Sequence, residues 1–225
     1  MRLPELDRRL KMAAEMVRPG VVAADIGSDH AYLPVYLVSR GLCPRVIAAD
    51  LREKPLQNAR LHVEKYGLAG KIELRLSDGL SRFAPGDAED FIFAGMGGTL
   101  MAELLGRAPW LRDPAKRLIL QPMTHAEDLR RFLTESGFAI LREDACRDSG
   151  RIYIAMCAEY TGEITERGPA YVYTGELPRC GNEPALAYLS RVERQLRIRA
   201  EGLRKSGRNP EELAALELAL EDFAL

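Results

Sequence analysis

Short apolar runs alternate with longer amphipathic segments along the first part of this chain, and this alternation constrains the fold more than any other feature. The runs are typical of strands buried on both faces of a parallel sheet, and they lie at residues 21–27, 46–49, 72–76, 91–94 and 118–120. Helix-length segments lie between them at 32–40, 54–66, 99–105 and 125–136, and a further helix is predicted over 3–17. Strands that alternate with helices predict a parallel α/β sheet with right-handed crossovers.

The last two strand patterns are arranged differently. Residues 138–144 and 152–160 are separated only by a turn-rich stretch that contains Asp148-Ser149-Gly150. Without a crossover helix these two strands must pair antiparallel. A parallel sheet that ends in an antiparallel hairpin is typical of Rossmann-like class I methyltransferases rather than dehydrogenases. The predicted fold class is therefore α/β, with a Rossmann-like class I methyltransferase sheet.

The chain changes character after residue 160. Residues 161–184 are rich in glycine, proline and polar side chains and are interpreted as a linker. Two amphipathic patterns follow, separated by Gly207-Arg208-Asn209-Pro210, and they predict an α-helical coiled-coil hairpin. We therefore expect a catalytic domain over 1–160 and a linker with a helical hairpin over 161–225.

Composition restricts the classes of partner. The formal net charge is −1, so RNA binding would need a local basic patch. The four cysteines form no CxxC pair and lie near no histidine cluster, so no metal site and no disulfide framework are expected. The first twenty residues include acids instead of a secretory apolar core, and no apolar run reaches the roughly 20 residues that span a bilayer. We expect a cytoplasmic monomer that binds neither metal nor membrane.

Acidic or glycine-containing loops follow three successive strands, and such strand ends converge on one crevice of a doubly wound sheet. The residues concerned are Asp25, Gly27, Ser28, Asp29, His30, Asp50, Leu51, Asp78 and Gly79. Glycine lets a ligand approach the backbone, and Asp50 has the spacing of an acid that holds ribose hydroxyls. Each loop alone also fits an ordinary turn or a helix cap, but together they favour a nucleoside-binding crevice. The lack of a full GxGxxG disfavours a dinucleotide.

The fourth and fifth strands end at the same rim. Gly95, Met96 and Gly97 would line the crevice with backbone. Gln121 and His125 would add polar side chains, although His125 fits equally well as a first-turn helix residue.

Three motifs carry a resemblance to a known family. DIGSDHAYLP at 25–34, AGMGGTL at 94–100 and LILQP at 118–122 closely resemble the bacterial tRNA (adenine 22-N1)-methyltransferases, the TrmK family. The opening helix around Arg9 is also similar to that family, whereas residues 161–185 do not align with it. The resemblance implies S-adenosyl-L-methionine as methyl donor, tRNA as partner, and methylation of N1 of adenine 22 in the D-arm.

The resemblance also implies roles for particular residues. Asp29 is the candidate catalytic carboxylate, with a helix cap as its alternative role. The donor is expected to contact residues from the opening helix and from the loops after the first four strands: Arg9, Asp25, Gly27, Ser28, His30, Asp50, Leu51, Asp78, Gly79, Gly95, Met96 and Gly97. The tRNA is expected to contact Gln121 and His125, and to be held by the basic side chains of residues 184–208, among them Arg191, Arg194, Arg197 and Lys205.

The basic segment has an ordinary explanation too, as the solvated face of a helical hairpin. Two other functions therefore remain open: a methyltransferase of the same fold that acts on a small molecule or protein, and a non-catalytic RNA-binding module with a vestigial donor pocket.

Overall fold

The computed structural model describes residues 4–223, so the first residue of the predicted helix 3–17 and the extreme ends of both predicted domains lie outside it. One seven-stranded sheet has the order β3-β2-β1-β4-β5-β7-β6. Its strands are β1 Ala23–Ile26, β2 Val46–Asp50, β3 Ile72–Leu76, β4 Asp90–Met96, β5 Arg117–Pro122, β6 Phe138–Asp148 and β7 Arg151–Tyr160. The first five strands are parallel, and β7 is antiparallel to both β5 and β6. The predicted fold class is confirmed.

Helices cover both faces of the sheet. They are α1 Arg8–Ala14, α2 Tyr32–Ser39, α3 Glu53–Lys65, α4 Gly98–Gly106 and α5 Ala126–Glu135, with a 3-10 turn at Pro109–Leu111. Successive side chains of β4 enter opposite cores: Phe91 and Phe93 pack in one apolar cluster and Ile92 in the other. All three side chains are fully buried. Burial on both faces explains why the sequence of this strand is continuously apolar.

The predicted linker is wrong for part of its length. Residues 170–181 contain two short helices, α6 Tyr171–Thr174 and α7 Leu177–Cys180, and Leu177 is fully buried. Arg130 of α5 forms an ion pair with Glu143 of β6 and also donates hydrogen bonds to the carbonyl oxygens of residues 172 and 173. The segment is therefore held against the sheet by tertiary contacts, which its local composition does not reveal.

The C-terminal helices form the predicted hairpin. Helix α8, Glu183–Ser206, packs against α9, Pro210–Phe223, through Leu196, Ala200 and Leu216. Asn182 caps α8 by accepting a hydrogen bond from the backbone N–H of Ala185 at 2.8 Å. The division of the chain into two domains at residue 160 stays a prediction. In the part of the chain that the structure describes, no helix is both long enough and apolar enough to cross a membrane.

Candidate functional site

The sheet has a switch point between β1 and β4, which are neighbours in space. The chain leaves β1 for β2 and β3 on one side and returns through β4 on the other. In open α/β sheets, ligands bind outside the carboxyl ends of the strands at such a point. Gly27 follows β1 with φ +78°, and Gly95 has φ +85° where the pairing of β4 with β5 is interrupted by a bulge. A Cβ at Gly27 would overlap the terminal methyl group of the Met96 side chain, and the positive φ favours glycine at this turn.

The turn after Gly27 leaves a polar atom without a partner. Ser28 is 2% exposed, and its Oγ makes no hydrogen bond of standard geometry within residues 4–223, although it lies close enough to Asp25 to lower the pKa of that carboxyl. The N-cap of α2 is Ala31, with φ +53° and no side-chain capping bond. Neither Ser28 nor Asp29 therefore caps α2, which removes the alternative role of both residues. A buried hydroxyl without a partner costs about 1–3 kcal/mol, and a bound ligand could supply the missing bond.

Two acids lie at the ends of β1 and β2. Asp25 is 5% exposed, and burial raises its pKa to about 6, an effect that nearby Asp50 adds to and Arg9 opposes. Asp50 is also buried and accepts a hydrogen bond from the backbone N–H of Arg52 at 2.8 Å. A cationic group in the crevice would offset the cost of burying the Asp25 carboxylate.

Gln121 is fully buried beneath the crevice and links two of its elements. Its Oε1 accepts hydrogen bonds from Arg9 Nη1 at 2.7 Å and from the backbone N–H of Gly95 at 3.1 Å. Its Nε2 donates to the carbonyl oxygen of Pro122 at 3.1 Å. Gln121 thus fixes the position of Arg9 beside the glycine floor, a geometry that suits support of the crevice more than direct contact with RNA.

Asp29 and a group of rings form the outer rim. The Asp29 side chain is 70% exposed and lies 3.5 Å from Nε2 of His30. The His30 ring stacks on Tyr32, with centroids 5.4 Å apart, and Tyr32 meets the edge of His62 at 4.9 Å. Nδ1 of His62 donates a hydrogen bond to the carbonyl oxygen of His30 at 3.0 Å. Burial lowers the pKa of His62, which favours the neutral ring.

His62 and Tyr32 were not among the site residues predicted from the sequence. His62 lies on α3, 32 residues after His30, and only the tertiary fold brings it to this rim. Tyr32 stands within the DIGSDHAYLP motif, so its motif was recognised although its side chain received no role.

The remaining predicted donor residues lie around the same edge. Leu51 is exposed after β2, and Asp78 and Gly79 follow β3. Gly97 comes directly after β4, and a Cβ at this position would lie 3.2 Å from the hydroxyl oxygen of Thr124. His125 begins α5 with φ +53°, and its exposed ring lies 3.7 Å from Glu127.

The basic residues of α8 are brought together with acids rather than with the crevice. Arg197 pairs with Glu193 at 2.6 Å, and Lys205 pairs with Glu201 at 2.5 Å. Helix α9 supplies further acids that pair with Arg199 and Arg204. Of the predicted tRNA contacts on α8, Arg191 and Arg194 make no ion pair with any residue in 4–223. The Arg191 guanidinium lies over the ring of Tyr188 at 5.1 Å.

A metal centre is not formed by the described residues. Among them no group of three or more histidine, cysteine, aspartate or glutamate side chains could hold a metal ion.

Comparisons with known proteins agree with this geometry. The family model described as a methyltransferase domain matches residues 6–156. The crystal structure of the Bacillus subtilis M1A22 tRNA methyltransferase TrmK superposes with a TM-score of 0.86 at 31% identity, covering 98% of both chains. The chain belongs to the TrmK family.

Two further comparisons bear on the TrmK assignment. The tRNA (adenine(22)-N(1))-methyltransferase of B. subtilis is 39% identical over 155 residues, which covers 69% of this chain and 65% of that protein, just under two thirds of its length. A Streptococcus pneumoniae structure, described as a candidate tRNA (m1A22) methyltransferase in complex with S-adenosyl-L-methionine, has a TM-score of 0.82 at 31% identity and covers 96% of this chain and 100% of that one.

Proposed function

We propose that this TrmK-family protein transfers a methyl group from S-adenosyl-L-methionine to N1 of adenine 22 in the D-arm of tRNA. The observation that carries the proposal is the match to a TrmK structure along 98% of both chains, in a molecule whose glycine-lined switch point holds the buried hydroxyl of Ser28. That relative is named as an M1A22 tRNA methyltransferase, and a second relative, 39% identical over 155 residues, is named as a tRNA (adenine(22)-N(1))-methyltransferase. We expect the enzyme to act in the cytoplasm, where its tRNA substrate is found. We also expect it to act as a monomer, because one chain contains both the donor crevice and the RNA-binding residues.

The residues of the crevice fit the proposed donor. When bound, S-adenosyl-L-methionine supplies an electrophilic methyl group on a sulfonium centre. The Ser28 hydroxyl and the Asp25 carboxylate would hold its amino-acid end together with Arg9, which Gln121 orients. Asp50 would hold the ribose hydroxyls.

The rest of the rim would enclose the donor's base and methyl end. The exposed Leu51 and Asp78 would flank the adenine, and the backbone of Gly95 and Gly97 would form the floor. His30 stands at the entrance, stacked on Tyr32.

The chemistry asked of the protein is chiefly positioning. Adenine N1 must be unpaired before it can react, and its lone pair needs no base to attack a methyl group. N1 methylation produces a cationic base, which a carboxylate stabilises. Asp29 is exposed, does not cap α2 and lies next to the glycine turn. It can therefore accept a hydrogen bond from the N6 amino group of the adenine and then take one of the protons of that group. His30, 3.5 Å away, lies where it can orient that carboxylate.

The decisive experiment is transfer of labelled methyl groups from S-adenosyl-L-methionine to an unmodified tRNA transcript, followed by nucleoside analysis. The expected product is 1-methyladenosine at position 22, and a transcript with guanine at that position should accept no label. Asp29→Ala should lower the turnover at saturating tRNA while leaving the thermal stabilisation by the donor intact. Failure to label tRNA by a protein that the donor stabilises would refute the tRNA substrate and leave methyl transfer to a small molecule or protein.

A further inference from the structure

A second depression lies beside the donor crevice, between the inner face of α8 and the β6–β7 hairpin. Its volume is about 760 Å³. Arg147, Arg151 and Tyr153 line it from the hairpin, and Tyr188, Arg191 and Arg199 line it from the helix. Its floor is formed by residues 122–127, which run from the last residue of β5 into the start of α5. We refer to it below as the interdomain cleft, because it lies between the two domains that the sequence predicts.

The cleft has a local excess of arginines, although the chain as a whole is nearly neutral. Four arginines line it against one acid, Glu127. Arg147 is paired with Glu183 at 2.5 Å, and Arg199 is paired with an acid of α9. Arg151 and Arg191 make no ion pair with any described residue, so their guanidinium groups are the ones free to meet an anion.

Aromatic rings alternate with these cations. Tyr153, Tyr173 and Tyr188 all line the cleft. Backbone phosphates held by cations, with bases stacked on aromatic faces, are how proteins bind single-stranded nucleic acid. A cleft of this volume has the size of a pocket for a small ligand, so it suits unpaired nucleotides rather than a duplex.

The cleft continues into the donor crevice. The Arg9 guanidinium lies 5.9 Å from the centre of the Tyr153 ring. It donates a hydrogen bond to Gln121, which also accepts one from the backbone N–H of Gly95. The residues that follow β5 form the floor of the cleft and also stand at the rim of the crevice. A nucleotide next to a base held in the crevice would therefore reach the cleft.

We propose that the interdomain cleft binds the unpaired RNA strand that flanks the target adenine, with Arg151 and Arg191 on its phosphates and the tyrosines on its bases. The inference rests on the proposed tRNA substrate and makes it more specific. It transfers the main RNA contact from the length of α8 to its inner face, because Arg197 and Lys205 are already neutralised by glutamates of their own helix.

The test compares three double variants of the full chain. Arg151→Gln with Arg191→Gln removes the two free cations of the cleft. Arg107→Gln with Arg112→Gln makes the same change in charge between α4 and β5, before the amino-terminal end of β5. Arg197→Gln with Lys205→Gln removes the paired cations of α8. Binding of unmodified tRNA is measured over a series of salt concentrations, and methyl transfer is measured in parallel.

The cleft variant should bind tRNA at least tenfold more weakly. The slope of log K against log salt should become shallower by about 1.4, since each single-strand phosphate contact contributes roughly 0.7. Its KM for tRNA should rise, while the thermal stabilisation by S-adenosyl-L-methionine, which binds in the donor crevice, should match that of the wild type. The Arg107/Arg112 variant should change binding less than twofold, and the Arg197/Lys205 variant should lose less than the cleft variant.

Either of two results in the variants would overturn the inference: tRNA binding by the cleft variant within twofold of wild type, or a larger loss in the Arg197/Lys205 variant. Absence of tRNA binding by the wild-type protein would overturn it as well. Failure of the proposed function is distinguishable, because a wild type that binds tRNA without methylating it removes the activity and leaves the comparison of binding variants valid.

Discussion

Replacement of Arg130 by methionine is expected to destabilise the protein more than any surface substitution. The Arg130 and Glu143 side chains are 1% and 0% exposed and meet through two parallel hydrogen bonds of 2.8 and 2.7 Å. The second Nη of Arg130 donates to the carbonyl oxygens of Val172 and Tyr173 at 3.1 and 2.9 Å. The substitution leaves a buried carboxylate without its cation and two carbonyl groups without a donor.

The size of the effect follows from this burial. Removing one partner of a buried ion pair costs about 3–5 kcal/mol, because the remaining charge is uncompensated. For a chain of this length each kcal/mol lowers Tm by about 2–4 °C, so Tm should fall by roughly 6–20 °C.

Urea and thermal unfolding monitored by circular dichroism measure this loss. Arg107→Ala is the control, because Arg107 and Glu103 form a pair in which the side chains are 69% and 55% exposed, and such pairs contribute less than about 1 kcal/mol. Arg130→Met combined with Glu143→Leu should recover much of the stability, since apolar side chains often replace a buried ion pair without loss. A loss below about 1 kcal/mol in the single Arg130 variant would refute the reasoning, because it would mean that the pair is accessible to water.

Three further predictions concern the crevice. Ser28→Ala should leave the Tm of the ligand-free protein unchanged or higher, because it removes an unsatisfied hydroxyl, and should weaken S-adenosyl-L-methionine binding measured by calorimetry. Asp25 has a folded pKa of about 6 against 3.8 for the ordinary group, so its burial costs nothing below pH 4, and its penalty grows as the pH rises towards 6. Asp25→Asn should therefore stabilise the ligand-free protein by up to ~3 kcal/mol at pH 7, flatten the pH dependence of Tm between pH 4 and 6, and weaken donor binding. His62→Phe keeps a ring beside Tyr32 but removes the bond to the carbonyl of His30, and kcat for methyl transfer should fall without a change in Tm beyond a few degrees; an unchanged kcat would mean that the rim needs no such support.

The sequence predicted the sheet well because its information is local. The continuous apolar run of β4 reports burial on both faces, and the short turn between β6 and β7 leaves antiparallel pairing as the only choice. The glycine-rich strand ends likewise predicted the switch point, since Gly27 and Gly95 take backbone angles that favour glycine.

The misjudged features depend on residues that are distant in the sequence. Residues 170–181 read as a linker because their order comes from Arg130 and Glu143, which precede them by about 30 to 40 positions. Part of the basic charge of α8 is neutralised by acids of α9 that pair with Arg199 and Arg204, and only the register of the helical hairpin brings these acids there. The interdomain cleft itself was invisible, since Arg151 and Arg191 come from a sheet hairpin and a helix with no shared motif.

The position of β7 between β5 and β6 has a consequence for synthesis of the chain. β6 emerges from the ribosome first, yet its partner in the sheet is β7, and the open edge of β5 is also closed by β7. A nascent chain that ends before Arg151 therefore exposes an unpaired apolar strand edge at Leu118–Leu120, the kind of surface that invites aggregation. The α8–α9 hairpin, whose own contacts are nearer in sequence, can form quickly once it is made. The pairing of β5 with β7 spans more of the sequence than the β6–β7 hairpin, so we expect substitutions that weaken it to lower the yield of folded protein.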